Sequence, residues 1–85
     1  MEVSYTSRFA REAKKLPASL RSIVKDRVER FLVDPFEPTL KTHKLTGRLQ
    51  EYWSFSINFR YRIIFRLIDR HHALFHSIGD HSIYD

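Results

Sequence analysis

The chain has 85 residues, enough for one domain, and its 42% hydrophobic residues, seven Phe among them, supply a modest core. It has no cysteine, which excludes disulfides, thiolate metal sites and a cysteine nucleophile, and its longest apolar runs, such as 61–68, are broken by Arg and fall well short of the ~18 residues a membrane helix needs. Fifteen Lys+Arg against ten Asp+Glu give a net charge of +5 before five His are counted, and a basic surface on so small a body suits a polyanionic partner.

The N-terminus opens on Met1-Glu2-Val3-Ser4-Tyr5 without a basic flank or a long apolar stretch, so no secretory signal is expected and the cytoplasm is the default location. Val3 and Tyr5 alternate with polar neighbours and predict a short first strand over Met1–Thr6. Thr6 or Ser7 can cap a following helix, in which Phe9, Ala13 and Leu16 share a face. Pro17 ends that helix and is placed to begin a second. From Ala18 to Val33 the residues Leu20, Ile23, Val24, Arg27, Val28, Phe31 and Leu32 trace one stripe, interrupted only by Arg27, whose stem can cover apolar surface. An antiparallel helix pair joined by a tight link is expected, with Asp34-Pro35 as its end.

Residues 35–51 contain Pro35, Pro38 and Gly47 and show no period, which predicts a long connection of a kind that is either functional or disordered. From Tyr52 onward the pattern is that of strands. Trp53, Phe55 and Ile57 alternate with Tyr52, Ser54 and Ser56; after a break at Asn58-Phe59, Tyr61, Ile63, Phe65 and Leu67 face one way and Arg60, Arg62, Ile64 and Arg66 the other. Asp69-Arg70-His71-His72 reads as a turn before a last strand over Ala73–Gly79. The order β-α-α-β-β-β predicts an α+β fold: an antiparallel twisted sheet with a two-helix hairpin on one face.

If the helices cover the Ile63-Phe65-Leu67 face, then Arg60, Arg62 and Arg66 project from the opposite face together with Ile64 and Ile68. Arginines on one strand face repel unless an anion or acid lies over them. The row is either an ordinary solvated face or a phosphate-binding groove, where the guanidinium fork pairs with phosphate oxygens. Spacing alone does not choose. Metal-free RNA cleavage needs a base for the ribose 2′-OH, an acid for the leaving 5′-oxygen and a cation for the phosphorane. Histidine suits the first two roles. His43 and His81 lie in segments flanking the sheet, His71 and His72 in a turn, and His76 shares parity with Leu74 and Ile78. His72 and His76 have a helical metal-ligand spacing but fall in a turn and a strand with no acidic cluster beside them, so neither a metal nor another cofactor is expected.

The element order, the loop His43-Lys44-Leu45-Thr46-Gly47, the segment Tyr61-Arg62-Ile63-Ile64-Phe65 and the ending Ile78-Gly79-Asp80-His81-Ser82-Ile83-Tyr84 together resemble the RelE/ParE superfamily, the toxins of type II toxin–antitoxin systems, over nearly the whole chain. Within it the likeness is to the RelE side, with its YafQ-like and YoeB-like branches. The resemblance implies one RelE-like toxin domain spanning 1–85 and a metal-independent endoribonuclease, an mRNA interferase that cuts the message in the ribosomal A site. Arg62 falls where such toxins carry an arginine that stabilises the cleaved phosphate. His81 matches a general acid, His43 a histidine that some members use in catalysis, and Tyr84 an aromatic that stacks on a base or orients the scissile phosphate. Lys44 and Arg48 would line the same groove, with Arg60 and Arg66 on the RNA backbone. The chain departs from YafQ-like members at Asn58-Phe59-Arg60-Tyr61, where they carry a further histidine and an aspartate. The general base is therefore His43 or, second, Glu51, which lies near the glutamate of YoeB-like members. The implied partners are a cognate antitoxin, mRNA and the 70S ribosome, and no membrane. The alternative is a ParE-like inhibitor of DNA gyrase without nuclease activity.

Overall fold

Hydrophobic alternation in the C-terminal half and helical spacing in the N-terminal half produce the expected elements. The computed structural model describes residues 1–80. The chain runs β1 (Glu2–Tyr5), α1 (Ser7–Lys14), α2 (Ala18–Val33), β2 (His43–Lys44), β3 (Trp53–Ser56), β4 (Arg62–Asp69) and β5 (His72–Gly79), with 3₁₀ turns at Pro38–Leu40 and Gly47–Leu49. The class is α+β, and the five strands form one sheet in the order β1-β5-β4-β3-β2. β2 to β5 pair antiparallel, while β1 pairs parallel to β5, so the sheet is mixed. The helix pair carries the chain across one face, which leaves β1 and β2 on opposite edges.

The stretch 35–51 is less irregular than its composition suggests. Leu40 is wholly buried, and β2 adds a fifth strand by pairing His43 with Ser54 and Lys44 with Trp53. Two such residues leave no periodic signal to read. The turn between β4 and β5 is tighter than expected, with Asp69 and His72 still paired across it.

Thr6 caps α1 by accepting the Phe9 N–H at 3.0 Å, and Arg11 and Lys14 in the last turn complement the helix dipole. β1 pairs with β5 only as far as Phe75, so the edge of β5 beyond it needs other partners. α1 supplies them. The Thr6 N–H donates to the Phe75 carbonyl at 3.0 Å, the Thr6 hydroxyl donates to the His76 carbonyl at 2.7 Å, and the Glu12 carboxylate accepts the Ile78 N–H at 3.2 Å.

The core lies between the helices and one sheet face. Phe31 of α2 stacks on Phe55 at 4.8 Å between ring centroids and meets Phe65 and Phe75 edge-on at 4.9 and 5.3 Å. Ile63, Ala73 and Ile78 are buried around this cluster, with Ile23, Val24 and Val28 packed against it. Leu32, expected on the same helix face, is 38% exposed, because the turn that points Phe31 at the sheet swings its neighbour to the rim. Among the described residues no helix is long and apolar enough to cross a membrane.

The opposite sheet face departs from simple alternation. Ile64 pairs with Ser77 but Phe65 pairs with Phe75, so His76 is an extra residue at a bulge. The bulge puts Phe75 and Ile78 in the helix-side core and breaks the parity that would group His76 with Ile78. Ile64, expected on an open amphipathic face, is 1% exposed. Tyr52, just before β3, and His76 of β5 have ring centroids 5.0 Å apart. Because β4 runs between their strands, the two rings meet over β4.

Candidate active site

The chemistry-bearing side chains gather at the end of the sheet, where the β3–β4 turn approaches α2 and the segment after the Pro38–Leu40 turn. A pocket of about 520 Å³ opens there, lined by Arg27, Lys41, His43, Ser56, Phe59 and Arg62, with Thr39, Ile57 and Asn58 completing it. Among the described residues three cations and a histidine line it, and no carboxylate does. The nearest acid on α2, Asp26, bonds Arg27 and also pairs with the Arg30 Nε at 3.0 Å, so one carboxylate serves two guanidiniums. Such a pocket favours an anion.

Arg62 opens β4, half-buried, with Ser56 across from it on β3 and Gly79 on β5. Small neighbours on both sides leave room beside its guanidinium. His43 is an exposed edge residue opposite Ser54. Its Nδ1 lies 3.1 Å from the Lys41 carbonyl oxygen. A carbonyl only accepts, so Nδ1 is the donor and the neutral ring presents Nε2 as a free acceptor. Lys41 sits at φ 52°, the one non-glycine residue with positive φ among those described. That left-handed backbone costs on the order of 1 kcal/mol or more and persists only where its surroundings impose it.

Of the residues singled out in the sequence, Arg62 and His43 share this pocket. Glu51 does not: it is exposed and lines a separate hollow of about 410 Å³ with Lys44, Thr46 and Gln50. Lys44 points away from His43 by strand alternation, its ammonium 6.0 Å from the centroid of the Trp53 ring. Arg48 is exposed in the Gly47–Leu49 turn. Arg60 leaves the expected row of strand arginines, because β4 begins only at Arg62; it lies in the turn, 3.8 Å from the Asp80 carboxylate. Arg66 keeps its place on the face of Arg62, exposed and opposite Leu74. His81 and Tyr84 lie outside the described residues.

The other histidines have local partners. His71 donates its backbone N–H to Asp69 at 2.7 Å, and the His72 Nε2 is 2.6 Å from the Ser4 hydroxyl. His76 is half-buried; burial first, then the positive charge of Arg8 and later Arg66 against an opposing effect of Glu12, hold its pKa below the usual 6.5.

Sequence reading missed Arg27, Lys41 and Phe59 as pocket residues. Arg27 carried a signal, since a lone charge on a core-facing helical stripe needs a destination. Lys41 carried none: its place depends on a backbone conformation that no residue type announces.

No protein-family model and no curated protein sequence matches the chain. Solved structures do. The YoeB/ParE toxin from Agrobacterium tumefaciens superimposes with a TM-score of 0.78 at 19% identity, over 95% of this chain and 99% of that one. YafQ from E. coli gives 0.75 at 19% identity, over 98% and 96%. YoeB of Staphylococcus aureus, solved with YefM as a toxin–antitoxin complex, gives 0.76 at 18% identity, over 95% and 97%. The chain has the fold of these toxins, and the expected likeness to the RelE/ParE superfamily holds for the fold.

Proposed function

We propose that this chain, built on the fold of the RelE/ParE toxins, is the toxin of a type II toxin–antitoxin system and a metal-independent endoribonuclease that cuts mRNA in the ribosomal A site. One observation carries the reading: a pocket, with no carboxylate among its described lining residues, in which a half-buried arginine and a histidine with an acceptor nitrogen face the same space.

In this mechanism the His43 Nε2 takes the proton of the ribose 2′-OH, and O2′ attacks the adjacent phosphorus. Arg62 meets the charge that grows on the phosphorane oxygens, with Arg27 and Lys41 adding to the field. The bond to the 5′-oxygen breaks, and that oxygen takes a proton from His81, the acid implied by the resemblance. The products are a 2′,3′-cyclic phosphate and a free 5′-hydroxyl. Tyr84 would orient the scissile phosphate, and Lys44, Arg48, Arg60 and Arg66 would hold the backbone on either side. His43 is preferred to Glu51 as the base because only His43 shares the pocket with Arg62.

A surplus of five positive charges suits the ribosomal RNA surroundings of an A-site message. It equally suits an antitoxin whose acidic segment folds over the basic face on binding. Solved neighbours crystallised as YoeB–YefM and DinJ–YafQ toxin–antitoxin complexes support a partner of that kind. Production of the chain in bacterial cells tests the reading: protein synthesis should stop and messages should be cut within coding frames, with no DNA-damage response. Intact messages beside trapped gyrase–DNA complexes would favour the gyrase inhibitor instead.

A further inference from the structure

We infer that Phe59 is a stacking platform for one nucleobase of the RNA whose phosphate occupies the Arg62 pocket, an inference that rests on the nuclease reading above. Phe59 is 92% exposed at the tip of the β3–β4 turn. A single exposed aromatic is ordinary on a protein surface and by itself says nothing. Two further observations set this one apart. Phe59 lines the same pocket as Arg27, Lys41 and Arg62, so an exposed aromatic residue stands at the mouth of an anion site. A phosphate group and a flat apolar face side by side are the recognition elements of a nucleotide in a single strand.

The second observation is the rigidity of the turn. The Asn58 Oδ1 accepts the backbone N–H of both Arg60 and Tyr61, at 2.9 and 2.7 Å, and the Tyr61 carbonyl accepts from Ile57 and Asn58 at 2.9 and 3.3 Å. Arg60 is drawn aside, its guanidinium 5.6 Å from the Tyr61 ring centroid and 3.8 Å from the Asp80 carboxylate. The ring is thus presented from a fixed backbone, and a base can stack on it with little loop-ordering cost. Stacking does not read hydrogen bonds, so the platform would hold any base, purines more firmly than pyrimidines through their larger faces.

The test uses a fluorescently labelled 2′-O-methyl trinucleotide, which cannot be cleaved, and three derivatives that each lack one base but keep every phosphate. Wild-type protein should bind one of the three derivatives weaker than the intact trimer by roughly 5- to 150-fold, the worth of one stacked base. Phe59→Leu should erase that difference and bind the intact trimer as weakly as wild type binds the affected derivative. Phe59→Trp should keep it. Phe59→Leu binding like wild type overturns the platform, and so does a Phe59→Leu defect confined to association with ribosomal protein or antitoxin. Failure of the nuclease reading looks different: the unmodified ribo-trimer and ribosome-bound message stay uncut while the base-dependent difference in binding persists.

Discussion

Replacing Arg62 by alanine tests whether the pocket stabilises a transition state or merely attracts RNA. The phosphorane carries one more negative charge on its equatorial oxygens than the ground-state phosphodiester. A unit charge about 4 Å away contributes roughly 4 kcal/mol at the effective dielectric of a partly buried site, near 20, but only about 1 kcal/mol in bulk water. Arg62 is half-buried between Ser56 and Gly79, whereas Arg66, four residues further along the same strand face, is exposed. Arg62→Ala should therefore lower the cleavage rate by roughly 100- to 1,000-fold, the range seen when one oxyanion donor is lost, and Arg66→Ala by about 5-fold. Neither change touches the helix-side core of Ile63 and Phe65, so both proteins should keep nearly wild-type stability. Arg62→Lys should restore only part of the rate, since a point charge does not reproduce the planar fork. The assay is single-turnover cleavage on programmed ribosomes, with binding measured beside it. Equal losses for Arg62→Ala and Arg66→Ala, or a loss confined to binding, would refute the reasoning and leave only a general phosphate patch.

His43→Gln removes the nitrogen that accepts the 2′-OH proton and should reduce single-turnover cleavage by roughly 100-fold or more with RNA binding retained, whereas Glu51→Gln, in its separate hollow, should stay within a few-fold of wild type. Phe31→Ala removes the ring at the centre of the aromatic cluster and should cost about 3–5 kcal/mol, read as a large drop in the urea midpoint. The His76 pKa is lowered in the fold, so below 6.5 the unfolded chain takes up a proton that the folded chain refuses. Stability is fully present above that pH and falls as pH drops toward the lowered folded value. His76→Gln should flatten this segment of the urea midpoint against pH, and an unchanged slope would remove His76 as its source.

The helices and four of the strands were legible because burial imposes a period. Phe9, Ala13 and Leu16, or Trp53 with Phe55, could face only one way, and Pro17 could only separate two helices. β2 was not legible. A two-residue edge strand is defined by hydrogen bonds to β3, and His43-Lys44 has no pattern to display them. The parallel pairing of β1 was hidden for a related reason: Val3 and Tyr5 fix which face is buried, but nothing local fixes which neighbour the strand will find. The bulge at His76 was invisible to alternation because alternation assumes that no residue is inserted. Of the candidate site, Arg62 and His43 were found through the family likeness and the exposed parity of a strand. Arg27 and Lys41 reach the pocket only through tertiary packing.

Three departures from local rules in this chain adjoin the proposed site. Arg27 breaks an otherwise apolar helix stripe, Lys41 holds a left-handed backbone without being glycine, and Phe59 exposes its ring on a turn where a polar residue would cost nothing. Each choice opposes stability: a charge against the core side, backbone strain, an apolar face in water. Each also adds something to one cavity, a second guanidinium from Arg27, the carbonyl that orients His43 from Lys41, and an aromatic wall from Phe59. A sequence at the margin of a few kcal/mol discards such features unless they serve a common purpose. Three cations, with no carboxylate among the described lining residues, concentrate positive charge at one place on the surface. That arrangement weighs against a merely solubilising basic surface, which would spread its charge and exposed carboxylates evenly. It favours a site built to take a polyanion and to act on it.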